Sequence, residues 1–323
     1  MLNSLVSNFI YNKKAVLFAI NNTCNCRCEM CSIWKNKNKK IIRYEEAKKA
    51  LIKLRKNNFG YLQITGGEPL LNPDVFKIIS FAKKIGFTIF LVTNGTLIDE
   101  NVAKKISESK VDNVGISFHH YNEKFFERIS NHKDILNKVI NAVKFLKKEN
   151  VNTEAMFTIS KLNKNEIRET VHLINKLGIG TSFCIPITTT ETSYRIGGNS
   201  CVDFTNEELS RVILEIISLK NEGYYIINNI TFFKEVLNFL NRKSKYYCLG
   251  GYKIFYLDWD LNLFPCMFRG KPIEINNVSF NFENEKCNKC LFQCFKEPSL
   301  FLLSKPLSIK LILNNFKDYI KFI

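Results

Sequence analysis

The stretch NNTCNCRCEMCSIW, residues 21–34, places Cys24, Cys26, Cys28 and Cys31 within eight residues. Thiols gathered this closely can staple the chain, chelate a metal or pack as small apolar residues. The chain holds 11 cysteines, an odd count that no closed disulfide framework can use in full. Arg27 and Glu29 lie between them, which fits poorly with a run of inert buried thiols. Chelation therefore leads. Cys24, Cys28 and Cys31 have the spacing C-x3-C-x2-C. Three thiolates on one tight loop can each hold one iron corner of a 4Fe–4S cube, a cluster normally held by four cysteines. With three, the fourth iron stays open to a small molecule. Zinc is the competitor, and it asks for a closed tetrahedron of four ligands. Cys26 could supply the fourth, although alternating cysteines followed by Cys31 make an unusual zinc spacing.

Something must hold that loop in place, and the surrounding sequence alternates strand and helix from about residue 15 to 221. AVLFAIN (15–21), YLQIT (61–65), TIFLVT (88–93), VGISF (114–118), TEAMFTI (153–159) and TSFCIPI (181–187) read as six strands. Helical spacing follows each, as in YEEAKKALIKLRKN (44–57), where Ala47, Leu51 and Leu54 share a face. PDVFKIISFAKKIG (73–86) opens on proline and closes on glycine, the order expected of a helix. Further helices are read in DENVAKKISESK, KDILNKVINAVKFLKKEN, EIRETVHLINKLG and NEELSRVILEIISLKNEG. Six such units predict an α/β fold with a parallel sheet and right-handed crossovers, two units short of a closed (β/α)8 barrel. The expectation is an open, partial (β/α)6 TIM-like barrel. Chemistry then belongs on the loops after the strands' C-terminal ends. The cysteine loop follows the first strand there, GGEP the second, Asn94-Gly the third and His119-His120 the fourth.

CNCRCEMC after a first strand, with GGEP at the end of the second, resembles the radical S-adenosylmethionine (SAM) enzymes. The resemblance implies that Cys24, Cys28 and Cys31 bind the cluster, whose open iron chelates the amino and carboxylate groups of SAM. Reductive cleavage would then give a 5′-deoxyadenosyl radical that takes hydrogen from an unactivated carbon. Cys26 lies outside the pattern and reads as a packing residue. Gly66, Gly67, Glu68 and Pro69 are similar to the family's methionine-amine site, where exposed carbonyls and Glu68 would accept from an ammonium group. Asn94 and Ser117 match in placement the family's contacts to ribose and carboxylate, and Arg128 could pair with that carboxylate. Met30 stands where the family usually has an aromatic beside the adenine, and its thioether can lie against a π face. His119 or His120 could accept a proton from substrate, and Cys201 could donate a hydrogen atom.

A second set follows a spacing of its own: Cys248, Cys266, Cys287, Cys290 and Cys294. Spacing alone leaves zinc open here. The segment resembles the SPASM or twitch extension of radical SAM enzymes, with a hairpin, YKIFYLDWDLNLFPC, between the first two cysteines. That resemblance implies an auxiliary 4Fe–4S cluster held by Cys248, Cys266, Cys287 and Cys290, with Cys294 as a substitute ligand. It would accept an electron or hold substrate. Leu261 stands where a glycine is usual. The implied division is an N-terminal segment 1–14, a barrel 15–230, a cluster-binding extension 245–299 and a basic apolar tail 300–323.

Composition is ordinary for a globular protein, 46% hydrophobic and 24% charged, which excludes wholesale disorder. No signal peptide and no run of roughly 20 apolar residues is seen, so the expectation is a cytoplasmic enzyme. The net charge of +17 suits an acidic partner such as a reduced flavodoxin- or ferredoxin-type electron donor. Lysines are spread over ordinary helix faces and no nucleic-acid motif accompanies them, so no nucleic acid is expected. The tail offers membrane-surface contact. The substrate expected is a peptide or protein side chain. The alternatives are a small sugar, cofactor precursor or lipid and, from another class, a non-catalytic zinc-binding scaffold.

Overall fold

The computed structural model describes residues 13–185, 201–268, 271–280 and 282–303. The six expected strands form: β1 (Lys14–Ala19), β2 (Phe59–Thr65), β3 (Thr88–Thr93), β4 (Asn113–Ser117), β5 (Thr153–Thr158) and β6 (Gly180–Cys184). They pair in parallel as β6-β5-β4-β3-β2-β1. Helices return each strand to the same edge. They are α1 (Tyr44–Lys56), α2 (Val75–Lys84), α3 (Glu100–Glu108), α4 (Glu123–Ser130), α5 (Ile135–Lys148), α6 (Ile167–Lys176), α7 (Asn206–Asn221) and α8 (Ile230–Leu240). The architecture is the partial barrel that the alternation predicts.

Strand periodicity sorts the side chains between two layers. Val16, Phe18, Leu62, Ile64, Ile89, Leu91, Val114 and Ile116 are fully buried. They meet helix residues such as Ala47, Leu51, Leu54, Ile78 and Ile79, which recur at helical spacing. The alternate positions face the barrel lumen. Gly115 is one of them: a Cβ there would lie 2.8 Å from both the Phe90 ring and the Met156 side chain. Phe90, Gly115 and Met156 therefore floor the lumen on adjacent strands.

Two helices fall outside the expected repeat. α4 occupies what reads as a loop after the two histidines, with Asn122 capping it by accepting from Phe125 N–H. α8 is capped in the same way by Asn229. The larger departure is β7 (Ile254–Leu257), which pairs in parallel with β1 from Ala15 opposite Ile254 to Phe18 opposite Leu257. The segment after residue 245 thus extends the barrel sheet instead of standing apart from it. β8 (Asn262–Phe264) and β9 (Ile273–Glu274) continue it antiparallel. The expected hairpin is the β7–β8 turn, held by Asp258 accepting from Asp260 and Asn262 N–H at 2.9 and 2.8 Å. Leu261 has φ +60 in that turn, the left-handed conformation that explains why glycine suits the position. A last helix, α9 (Gln293–Leu303), closes the described chain. No helix among the described residues is long and apolar enough to cross a membrane. The expected tail lies outside the described residues from 304 onward.

Candidate active site

The cysteine loop is laid across the ends of β1, β2 and α4. Glu68 N–H donates to Thr23 C=O at 2.7 Å, and Gly67 N–H to Asn21 C=O at 3.1 Å. On the other side Arg27 and Glu29 N–H donate to the Ser130 and Ile129 carbonyls at the C-terminus of α4. The glycine pair is what permits this contact. A Cβ on Gly67 would fall 2.1 Å from the Thr23 carbonyl, and one on Gly66 would fall 2.4 Å from that of Asn21. Gly66 also has φ +147. The glycines serve the approach of the cysteine loop itself as well as any ligand.

All the described cysteines are free thiols. Cys24, Cys28 and Cys31 are half-buried, whereas Cys26 is 1% exposed and packs in the main core. Cys26 N–H donates to Cys24 Sγ at 3.4 Å, and Asn94 Nδ2 reaches the same sulfur at 3.9 Å. Hydrogen bonding, led by Cys26, holds the Cys24 thiol below its usual range. The Cys26 thiol is pushed strongly up by hydrogen bonds to the Cys24 and Cys28 sulfurs and by burial. Its place in the core suits packing. Burial pushes Cys31 up to about 12. A bound cation would reverse that direction.

Glu68 is fully buried and its carboxylate is spent inside the protein. It accepts from Leu70 N–H at 3.0 Å, Thr93 Oγ1 at 2.7 Å and Asn94 N–H at 2.7 Å. It therefore clamps the β2 exit to the β3 exit, and the acceptors left for an ammonium at this turn are backbone carbonyls. Asn94 is similarly engaged, donating to Asn25 Oδ1 at 2.8 Å and accepting from Thr96. Pro69 is buried at the start of a single helical turn capped by Glu68. Ser117 ends β4, half-buried, in the same inward register as Gly115. Arg128 is turned outward, against the Phe125 ring and 3.7 Å from Glu29, so it braces the loop from the surface. Met30 and Cys201 are buried together with Ile129 and Val202, beside Cys28. Most of the loop before Cys201 lies outside the described residues.

The histidines part company. His120 Nδ1 accepts from Asn122 N–H at 2.9 Å, its ring stacks on Tyr121 and Phe125, and Nε2 faces Glu166 at 3.8 Å. It belongs to the α4 packing. His119 accepts at Nδ1 from Thr158 N–H at 3.3 Å, and burial holds it down to about 4. Its imidazole is neutral at ordinary pH and presents Nε2–H.

The lumen holds polar groups that motif reading passed over. Tyr61, Gln63, Glu154 and Cys184 occupy inward strand positions and meet Cys294 and Glu297 of α9. Glu154 takes a hydrogen bond from Asn113 Nδ2 at 3.0 Å, and burial raises it to about 7. Glu297 accepts from Asn228, Asn229 N–H and Gln293, which ties α9 to the start of α8. The sequence signal was a polar residue at every second position of apolar strands, as in YLQIT.

Comparison with known proteins fits this geometry. Residues 19–174 match the family model described as the Radical SAM superfamily. They form a radical SAM domain. A GTP 3′,8-cyclase of Clostridium botulinum is 26% identical over 272 residues, covering 80% of this chain and 82% of that one. The structure of Streptococcus suis SuiB bound to S-adenosylmethionine superposes with a TM-score of 0.68 at 12% identity, over 88% of this chain and 69% of that one. Native anSMEcpe with bound AdoMet and Cp18Cys peptide gives 0.59 at 19% identity, over 80% and 75%. The matched domain and these relatives support an iron–sulfur enzyme, and members of that superfamily use a 4Fe–4S cluster with SAM.

The radical SAM domain is followed by the second cysteine set, of which Cys248, Cys287 and Cys290 lie close enough to act on one another. Cys248 N–H donates to Cys287 C=O at 2.6 Å. Cys248 Sγ accepts from Gly250 N–H at 3.3 Å and Cys266 Sγ from Phe268 N–H at 3.5 Å. Phe292 N–H turns to Cys290 in the same two-residue step. Cys24 shows this feature too, so the amide that lies two residues on recurs at sulfurs of both sets. Such amides favour a thiolate and are among the groups that tune iron–sulfur centres. Cys294 is different. It is the second residue of α9, beside Cys184 and Gln63 in the lumen, and burial pushes it up to about 12. The groups that act on it are lumen groups, and none of the other four cysteines is among them.

Proposed function

We propose that the chain is a radical SAM oxidoreductase that abstracts hydrogen from an unactivated carbon of a peptide or protein side chain, with an auxiliary 4Fe–4S cluster held by Cys248, Cys266, Cys287 and Cys290. Cys24, Cys28 and Cys31 would hold the SAM-binding cluster. The fit rests on their placement: free, half-buried thiols on one loop, with Cys26 turned into the core. With an electron from an acidic donor protein, cluster and SAM together supply a 5′-deoxyadenosyl radical. The polypeptide's part is positional. Gly66 and Gly67 let the β2 exit lie against the cysteine loop, and Glu68 and Asn94 hold that exit rigid. Carbonyls at the turn, with Ser117 at the β4 exit, are offered to the polar end of SAM.

One observation favours a peptide over a nucleotide. Among the described residues, the inward strand positions carry a carboxyl, Glu154, and no lysine or arginine. Lys14, the one strand cation, is directed instead to the Phe59 and Phe280 rings. A triphosphate would find no positive counter-charge there, and an uncharged side chain needs none. The second reading, a small cofactor precursor, is supported by the Clostridium botulinum relative.

The test is anaerobic reconstitution followed by metal analysis and product assay. The enzyme should bind about eight irons, two cubes' worth, and turn SAM into 5′-deoxyadenosine under reductant. Peptides should raise that yield and compete with one another, and GTP should not. Zinc without iron would end the enzyme reading; stimulation by GTP alone would move the substrate to the second one. Cys28→Ala should abolish SAM cleavage and keep the absorbance of the second centre.

A further inference from the structure

Lys296 is buried to 1% exposure, an unusual place for an ammonium group. It lies on the face of α9 opposite to Cys294 and Glu297, and the side chain is enclosed between α8 and the second cysteine region. Its Nζ donates to Tyr246 C=O, two residues before Cys248, and at 2.5 Å to Asn288 Oδ1, between Cys287 and Cys290. One cation thus joins both cysteine-bearing segments. Glu235 of α8, also 1% exposed, stands 3.6 Å behind it. That carboxylate is further held by Ser244 Oγ and by Lys245 and Tyr246 N–H. On the same face of α9, Ser299 Oγ accepts from Leu249 N–H at 2.8 Å, and Phe295 packs on Gly250. The thiols within electrostatic reach of the ammonium are Cys248 and Cys290.

Burying a lysine–glutamate pair is seldom a gain in stability over apolar residues of the same shape. Its retention at this spot calls for a use. We infer that Lys296 is a positioning residue for the second iron–sulfur centre, a fixed positive charge that draws its two cysteine segments together and raises its reduction potential. The inference rests on the auxiliary-cluster reading above. A reduced cluster carries one more negative charge than an oxidised one, so a cation held close by in a medium of low dielectric favours reduction. Lys296, and not Glu235, is among the charges that act on the Cys248 and Cys290 thiols, so the carboxylate opposes the effect more weakly.

The experiment uses the full chain carrying C24A, C28A and C31A, which leaves the second set as the sole cluster site, reconstituted with iron and sulfide. Midpoint potential is read by a dye-monitored titration with EPR. The parent should bind about four irons. K296M should bind as many and titrate at a more negative potential, and K296R should return it toward the parent. Because K296M leaves Glu235 buried without its cation, E235Q/K296M is the companion variant, with no orphaned charge to unfold it. It should also titrate more negative than the parent. Equal midpoints in parent, K296M and E235Q/K296M would overturn the inference and leave the auxiliary cluster standing. A parent chain that takes up no iron would overturn the cluster reading itself, and this inference with it.

Discussion

Replacing Glu68 separates a carboxylate that braces the protein from one that binds SAM. The side chain is inaccessible to solvent and receives three hydrogen bonds, two from backbone amides and one from the Thr93 hydroxyl. Burial pushes its carboxyl above the usual range, against those bonds. Glu68→Ala strands all three donors. A buried unsatisfied donor costs about 1–3 kcal/mol, and the gain from no longer burying a carboxylate offsets part of the total. A net loss of about 3–5 kcal/mol is expected. Glu68→Gln keeps the shape and one acceptor oxygen but sets an NH2 against one donor, so about 1–3 kcal/mol is expected. Urea unfolding of the metal-free chain, followed by circular dichroism, should rank wild type above Gln above Ala at constant slope. Metal-free protein matters because no SAM or cluster can then contribute. If Ala unfolds at the wild-type midpoint while the reconstituted variant binds SAM weakly, the carboxylate serves the ligand and the clamp reasoning is wrong.

Three further outcomes follow from the same structure. Gly67→Ala drives a Cβ to within 2.1 Å of a backbone carbonyl of the cysteine loop, so iron uptake at the first site should collapse while the second centre's absorbance persists; uptake of the full complement would show that the loop can yield. Cys294→Ala should retain the second centre's iron, and Cys290→Ala should lose it; the reverse would return Cys294 to the ligand set. Glu154 is raised from 4.5 to about 7 by burial, so the folded state holds its proton more tightly than the unfolded one. Its contribution is complete below pH 4.5 and declines as pH rises toward about 7. The difference between wild type and Glu154→Gln in unfolding free energy of the metal-free chain should shrink in that direction, and a pH-independent difference would refute the burial of this carboxyl.

Much of the barrel was legible because parallel strands buried on both sides read as apolar runs, and the helices between them show a regular stripe. α4 was not, since EKFFERIS is short and stands between a histidine pair and another helix. β7 was read as a strand but not as a barrel strand: four residues carry no record of their partner, and pairing with β1 is a contact across more than 200 positions. At the site, the cysteine loop and GGEP were visible as types and spacing. The use made of Glu68 and Asn94 was not, because a turn residue that accepts from neighbouring amides and one that awaits a ligand look alike in sequence. Cys294 carries a related ambiguity. Its spacing from Cys290 suits a loop, but α9 begins at Gln293, and a helical path carries the next thiol to another face.

That last detail bears on how the two halves of the molecule communicate. α9 has lumen groups on one face, Cys294 and Glu297, and on the other Lys296 and Ser299, which hold the second cysteine region. A helix is about 10 Å thick with its side chains. On the proposed reading, a substrate in the lumen and a centre at Cys248 and Cys290 would be separated by a single helix, fixed at both faces by hydrogen bonds. Glu297 binds that helix to the α8 cap, and Lys296 binds it to Glu235 inside α8. Movement of α8 would shift both faces together. A substrate that displaces α9 from the lumen side would thus alter the surroundings of the second centre without touching it, so a spectral shift of that centre on substrate addition need not mean direct ligation. Glu297→Gln separates the cases: it weakens the tie to α8 without removing a group from the cysteine side, so direct ligation would keep the spectral shift and a helix-borne effect would diminish it.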